Sequence, residues 1–125
     1  MILVTGGTGL VGCHLLYLLI KNNQRVVAIH RKNSNLDKVK KVFSSYSKNY
    51  NELFSKISWV EGDINDVQSL SIAFKDIKEV YHCAAFISFD KKDLAAMKKI
   101  NVEGTANMIN ISIDKKIKKF CYVST

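Results

Sequence analysis

Short apolar stretches alternate along this chain with longer segments whose apolar residues recur at helical spacing. Five apolar stretches predict β-strands: residues 2–4, 25–30, 57–60, 79–84 and 120–123. Four segments between them predict helices: residues 10–22, a segment that starts at 36, 67–74 and 93–114. Because strand and helix alternate, the crossovers are expected to be right-handed and the strands parallel. We therefore expect an α/β fold, a doubly wound parallel sheet with helices on both faces.

Two segments of this pattern concern helix ends and loops. Asp66 precedes an apolar helical repeat, so its carboxylate is predicted to cap that helix. Residues 44–55 are polar and fit either a loop or a second helical piece. The sequence contains no proline, so its loops must be shaped by Gly, Asn, Asp and Ser.

Composition narrows the class of protein. With 125 residues, 47% of them apolar, the chain is large enough for one domain with a real core. No apolar run approaches the roughly 18–20 residues of a membrane span, and no signal peptide is evident. Cys13, Cys83 and Cys121 are odd in number and form no CxxC pair, so free thiols are favoured over a metal site or disulfides. We expect a cytoplasmic protein without metal.

The net charge of +8 comes mainly from paired lysines. A nucleic-acid surface is one interpretation of this charge. Only two arginines are present, however, and no aromatic stacking motif lies among the lysines. The pattern therefore favours a solvated surface, with neither nucleic acid nor membrane as a partner.

Glycines are concentrated between the first strand and the first helix, in the segment TGGTGLVG at residues 5–12. Their spacing satisfies both GxxGxxG and GxGxxG. Such glycines permit a tight turn, let a pyrophosphate approach the backbone and let the helix pack closely, while the helix N-terminus attracts phosphate. The alternative is a tight connection alone. Six residues are assigned to a cofactor site here: Gly6, Gly7, Gly9, Leu10, Val11 and Gly12.

The residues at the end of the second strand are expected to contact the adenine ribose of a bound dinucleotide. An acid usually holds the ribose 2′-hydroxyl about 20 residues past the glycines. This sequence has His30-Arg31-Lys32 instead. Two cations suit a 2′-phosphate, so Arg31 and Lys32 favour NADP over NAD. The alternative is that both are solvated loop charges.

Five segments, in order, resemble motifs of the extended short-chain dehydrogenase/reductases, a family of NAD-dependent epimerases, dehydratases and reductases. They are TGGTGLVG (5–12), GDI (62–64), HCAA (82–85), NVEGT (101–105) and YVST (122–125). The resemblance covers essentially the whole chain. It implies a Rossmann-type NAD(P)-binding domain over residues 1–125, lacking the substrate lobe, so we expect a fragment that stops after the fifth strand; a truncated, inactive cofactor module is the alternative.

The resemblance also implies roles for the cofactor residues. Asp63 would accept a hydrogen bond from the adenine amino group, with Ile64 beside the ring. The small residues Cys83, Ala84 and Ala85 would leave room for the ribose and nicotinamide.

Several of the motif residues have a simpler interpretation. Asp63 also fits a turn. His82 is favoured as a packed strand histidine without chemistry. The resemblance gives Asn101 the task of setting the backbone near the active site, whereas an exposed helix position is the alternative.

The family resemblance implies a catalytic hydroxyl at Thr125, with Ser124 as its neighbour; both also fit ordinary strand-end positions. The YxxxK of the family is expected beyond residue 125, and the YxxxK at Tyr17 to Lys21 lies in the first helix, where it is a coincidence of spacing. The fragment alone is therefore expected to be inactive.

The parent protein is expected to be an NAD(P)-dependent oxidoreductase or epimerase/dehydratase. Within the family it resembles the dihydroflavonol reductases. It would transfer hydride at a carbonyl or secondary alcohol of a sugar nucleotide or another small carbonyl substrate. The alternative is a non-catalytic NAD(P)-binding sensor or scaffold. The partner expected is a small-molecule substrate, and a homodimer is left open.

Overall fold

Strands and helices alternate along residues 1–124, the part of the chain that the computed structural model describes. The strands are β1 (Ile2–Thr5), β2 (Val26–His30), β3 (Ser58–Glu61), β4 (Glu79–His82) and β5 (Lys119–Tyr122). The helices are α1 (Leu10–Lys21), α2 (Asp37–Tyr46), α3 (Tyr50–Ser55), α4 (Val67–Ala73), α5 (Leu94–Lys98) and α6 (Thr105–Asp114). A 3₁₀ turn (Lys91–Asp93) precedes α5, and a π-helical turn (Lys99–Gly104) joins α5 to α6.

The five strands form one parallel sheet in the order β3-β2-β1-β4-β5. The chain moves outward from β1 through β2 to β3 and then crosses back to β4 on the other side of β1. The connections that follow β1 and β4 therefore diverge, and the carboxyl ends of these two strands border a crevice. This arrangement confirms the predicted Rossmann-type fold.

Two apolar clusters cover the two faces of the sheet. Val4 belongs to the cluster that includes Leu16 of α1 and Phe43 of α2, whereas Leu3 belongs to the one that includes Met108 of α6. All four residues of β1 are buried, as expected for a central strand that is covered on both faces. Each fully buried Leu or Phe contributes about 1.5–3 kcal/mol to the stability of this framework.

The polar segment 44–55 contains a second helical piece. The helix α2 ends at Tyr46, and α3 follows over Tyr50–Ser55. Leu53 and Phe54 are partly buried against the α1 side of the sheet. This packing explains why a short polar segment is helical rather than a loop, since most helical stability in proteins comes from tertiary packing.

The segment predicted as one helix over 93–114 is helical throughout but contains the π-helical turn. At Gly104, which ends this turn, a Cβ would lie 2.5 Å from Cδ1 of Ile64. Glycine there lets the loop after β3 lie directly against the helix, so the turn adjoins the crevice. Asp66 caps α4 as predicted, because its carboxylate accepts the backbone N–H groups of Gln68 and Ser69.

Candidate functional site

A cavity of about 250 Å³ opens at the carboxyl ends of the strands. Its walls are the loops that follow β1, β2, β3 and β4, with Ile100 of the π-helical turn at one side. Eight of the predicted cofactor residues line it: Gly6, Gly9, Arg31, Asp63, Ile64, Cys83, Ala84 and Ala85. The fold therefore gathers residues from four distant parts of the sequence around one space.

Gly6 makes the turn that leaves β1. Its φ of +69° is in the left-handed region that favours glycine. A Cβ at this position would lie 2.6 Å from the backbone N of Ala84 and the backbone C of Cys83. The loops after β1 and β4 thus touch at Gly6, which closes one side of the cavity.

Gly9 leaves the space that a phosphate would need. Its backbone is extended, with φ −84° and ψ 176°, and a Cβ would meet only the carbonyl oxygen of Gly6, at 3.3 Å. The helix α1 begins at the next residue, Leu10. The first-turn N–H groups of a helix have no intrahelical partners, and they attract anions.

The other residues predicted from the glycine segment lie outside the cavity. Leu10 and Val11 are 80% and 52% exposed, so the cavity is not lined by their side chains, and only their backbone N–H groups belong to the helix terminus. A Cβ at Gly7 would lie 2.8 Å from Cδ1 of Leu16, and one at Gly12 would lie 2.0 Å from the carbonyl oxygen of Gly6. Gly7 and Gly12 therefore serve close packing of the loop on α1 rather than lining the cavity.

The two cations after β2 differ in position. Arg31 lines the cavity together with Ser34, whose Oγ accepts the Arg31 backbone N–H at 3.0 Å. Lys32 is exposed and does not line the cavity. Of the two cations predicted to face a cofactor, the structure therefore places Arg31 at the cavity and Lys32 outside it.

Asp63 and Ile64 form the wall that follows β3. The Asp63 carboxylate accepts the Asn65 backbone N–H at 2.9 Å, so Asp63 lines the cavity and also shapes a turn. Ile64 is buried, and its carbonyl accepts a hydrogen bond from the Asn107 side chain of α6 at 2.9 Å. This wall is thus fixed to the long helical segment.

The wall that follows β4 is fixed to the same helical segment. The side-chain amide of Asn101 donates to the carbonyl of Phe86 at 2.8 Å and accepts the backbone N–H of Phe86 at 2.9 Å. Asn101 is therefore not a solvated helix position.

Three residues that line the cavity were not predicted from the sequence: Thr8, Ser34 and Phe86. Phe86 directly follows the HCAA segment, whereas Ser34 carries no sequence signal.

Behind the wall after β4 lies a buried histidine. His82 is fully buried, with Nδ1 2.6 Å from Thr5 Oγ1 and Nε2 3.0 Å from Thr105 Oγ1. Thr5 Oγ1 also accepts the backbone N–H groups of Cys83 and Ala84, each at 3.2 Å. Burial lowers the pKa of His82 to about 4, so the imidazole is neutral at pH 7. The structure places it as a packed strand histidine, as expected.

Residues 2–125 match the model of the NAD dependent epimerase/dehydratase family. The chain belongs to this family. It is 30% identical over 126 residues to an uncharacterized membrane protein of Methanocaldococcus jannaschii, with 99% of this chain and 35% of that protein covered. It is 29% identical over 130 residues to the human dTDP-D-glucose 4,6-dehydratase, with 99% and 35% covered.

Among solved structures, this epimerase/dehydratase family chain is similar to a short-chain dehydrogenase/reductase superfamily protein from Agrobacterium tumefaciens with bound NAD. The TM-score is 0.76 and the identity 26%, over 100% of this chain and 32% of the other. The chain spans about a third of the length of the relatives it matches.

The predicted catalytic pair of this family member lies at the end of the sequence. Ser124 is exposed, follows β5 and does not line the cavity. Thr125 lies outside the described residues. The Cys83 thiol in the cavity wall has a raised pKa, first because it is partly buried and second because of the nearby Cys121 thiol, so it is protonated at neutral pH.

Two further findings concern the described part of this family member. Within residues 1–124, no three His, Cys, Asp or Glu side chains form a group that could hold a metal ion. No helix in the same range has both the length and the apolar character needed to cross a bilayer.

Proposed function

We propose that this chain is the dinucleotide-binding part of an NAD(P)-dependent oxidoreductase or epimerase/dehydratase. The observation that carries the proposal is the position of Gly9. It borders the cavity at the amino end of α1, and a Cβ added there would have one close neighbour among residues 1–124, the carbonyl oxygen of Gly6 at 3.3 Å. A diphosphate could approach the backbone there and meet the N–H groups of the helix terminus.

The rest of the cavity suits the remaining parts of a dinucleotide. Asp63 and Ile64 would hold the adenine, the carboxylate accepting from its amino group and the apolar side chain contacting the ring. The small side chains of Cys83, Ala84 and Ala85 would leave space for the second ribose and the nicotinamide, which is bounded further by Phe86. In this proposal the polar and apolar groups of the cavity serve different parts of one NAD(P) molecule.

Arg31 is proposed to select NADP over NAD. It lies at the cavity beside Ser34. The sequence has no acid directly after β2 that would hold a ribose 2′-hydroxyl. Arg31→Ala in the full-length protein is expected to weaken NADP(H) binding by about 1–3 kcal/mol, the loss of a charge-assisted contact. NAD(H) affinity should hardly change, and calorimetric titration of both dinucleotides measures the difference.

Lys32→Ala is the matched control for this prediction. It removes the same charge one residue later, outside the cavity, so it should leave the ratio of the two affinities unchanged. An equal loss of NAD(H) and NADP(H) binding in Arg31→Ala would remove the proposed NADP preference.

The chemistry proposed for the full-length protein is hydride transfer at a carbonyl or secondary alcohol. A bound nicotinamide would supply the hydride acceptor or donor. A hydroxyl at Thr125, with Ser124 beside it, would hydrogen-bond the substrate oxygen as charge develops there. Similarity to a dTDP-D-glucose 4,6-dehydratase supports a sugar nucleotide as one substrate class. The cytoplasmic location and the homodimer stay predictions.

Thr125→Val tests the catalytic part of the proposal. The variant is expected to lower turnover about a hundredfold while leaving dinucleotide affinity nearly unchanged, since the lost group stabilises charge only during reaction. Steady-state kinetics and a separate binding titration give the two quantities. Lower affinity with normal turnover would assign Thr125 to binding, and absence of any YxxxK after Thr125 would favour the non-catalytic sensor.

A further inference from the structure

A chain of side-chain hydrogen bonds begins at Thr5, which lines the cavity, and continues behind the wall after β4. It runs from Thr5 at the end of β1, through His82 at the end of β4, to Thr105 at the start of α6. All three residues are buried. A fully hydrogen-bonded polar network in a core rigidifies the groups that it joins, whereas a partly satisfied one is costly.

Donor counting indicates which groups carry the protons of this network. A threonine hydroxyl has one proton and two acceptor sites. Thr5 Oγ1 accepts from the Ala84 N–H and from the Cys83 N–H, which also reaches the Thr5 carbonyl. The Thr5 hydroxyl proton is therefore left for Nδ1 of His82, which must be unprotonated. A neutral imidazole then carries its proton on Nε2 and donates it to Thr105 Oγ1.

The surroundings of His82 favour this neutral form. The Tyr122 phenol of β5 stacks on the imidazole, with ring centroids 5.6 Å apart, and the Cys83 thiol is next in the chain. From β1 and α6 the ring is hydrogen-bonded by the hydroxyls of Thr5 and Thr105. No carboxylate among residues 1–124 is hydrogen-bonded or salt-bridged to the ring.

The network ends on groups that shape the cavity. The Cys83 and Ala84 N–H groups belong to the wall after β4, where Gly6 touches the same backbone. At the other end of the network, Thr105 directly follows the π-helical turn. Asn101 in this turn is hydrogen-bonded to the backbone of Phe86. The wall is thus supported at Cys83–Ala84 and at Phe86, and His82 joins the two supports.

We propose that His82 is a positioning residue of the dinucleotide site, holding the wall after β4 through Thr5 and Thr105 as a neutral imidazole with its proton on Nε2. The proposal rests on the dinucleotide-binding function proposed above. His82 has no contact with the cavity itself. It acts by directing the Thr5 hydroxyl proton, so that Thr5 Oγ1 remains an acceptor for the two backbone N–H groups.

Nitrogen-15 NMR of the histidine imidazoles in the full-length protein tests the tautomer without any ligand. The expected spectrum of His82 at pH 7 is that of a neutral ring with Nε2 protonated and Nδ1 free to accept. A ring protonated on Nδ1, or on both nitrogens, would overturn the proposal, because Thr5 Oγ1 would then lose one of its three partners.

Two substitutions test the positioning role. His82→Leu removes both hydrogen bonds and is expected to weaken dinucleotide binding about tenfold, because Thr5 Oγ1 and Thr105 Oγ1 lose a partner and the wall after β4 is no longer held in place. His82→Gln keeps one acceptor and one donor at a similar separation and should restore most of that affinity.

Val80→Ala is the matched control, since Val80 lies in the same strand and is fully buried but belongs to the apolar cluster rather than the network. It should lower stability without lowering affinity. Equal affinities for wild type, Leu and Gln variants, each folded by circular dichroism, would overturn the positioning role. A wild-type protein that binds neither NAD(H) nor NADP(H) would instead overturn the proposed function and leave the tautomer result standing.

Discussion

Gly9→Val is expected to lower the affinity of the full-length protein for NAD(P) about a hundredfold or more, because a branched side chain would occupy the place of the diphosphate and separate it from the α1 N–H groups. The fold should survive. The backbone at Gly9 is extended, which any residue adopts, and a Cβ would meet only the Gly6 carbonyl oxygen, at 3.3 Å. Binding and stability are therefore separable at this position.

A graded series makes the experiment decisive. Gly9→Ala adds one carbon and should lower affinity less than Gly9→Val. Gly12→Ala is the contrasting variant, since its Cβ would lie 2.0 Å from the Gly6 carbonyl oxygen, and overpacking of this kind costs about 1–3 kcal/mol of stability. Calorimetric titration and thermal unfolding measure the two effects. Unchanged affinity in a folded Gly9→Val protein would contradict the role of the loop.

Acid is expected to destabilise the protein through His82. Burial lowers the pKa of this imidazole from 6.5 to about 4, so between these values the unfolded chain binds a proton that the folded chain does not. The free energy of unfolding therefore falls as pH decreases from about 6.5 to about 4. A shift of this size corresponds to about 3 kcal/mol, present above pH 6.5 and lost below pH 4.

His82→Gln isolates this contribution. Urea unfolding at several pH values between 7 and 4 gives the pH dependence for wild type and variant, and the carboxylates that titrate in the same range contribute equally to both. The wild-type curve should be steeper by the His82 component. Parallel curves would show that His82 has the same proton affinity in the folded and unfolded chain, contrary to its burial.

The architecture could be predicted from the sequence because the signals that indicate it lie in neighbouring residues. Alternating apolar strands and amphipathic helices predict a parallel α/β sheet, and the glycines at residues 5–12 predict the turn into the first helix. The cap at Asp66 depends on residues two and three positions away. Each of these signals acts over a few residues, so each is visible without tertiary structure.

The tertiary structure decided which predicted residues share the cavity. Gly9 borders it, whereas Gly7 and Gly12 lie where the loop packs closely on α1. Arg31 lines the cavity, whereas Lys32 lies outside it. The hydrophobic periodicity of the sequence cannot tell which of these neighbouring residues lines the cavity, because that depends on the backbone conformation of the turn.

The sequence by itself determined that a glycine-rich loop opens the first helix of a parallel sheet, since hydrophobic period and glycine spacing are properties of neighbouring residues. Only the folded chain joined Thr5, His82 and Thr105, which lie up to 100 positions apart, and only it placed the π-helical turn against the loop at Ile64. Hydrogen bonds between such distant groups form because strand order brings the ends of β1 and β4 together, and strand order is a property of the whole sheet.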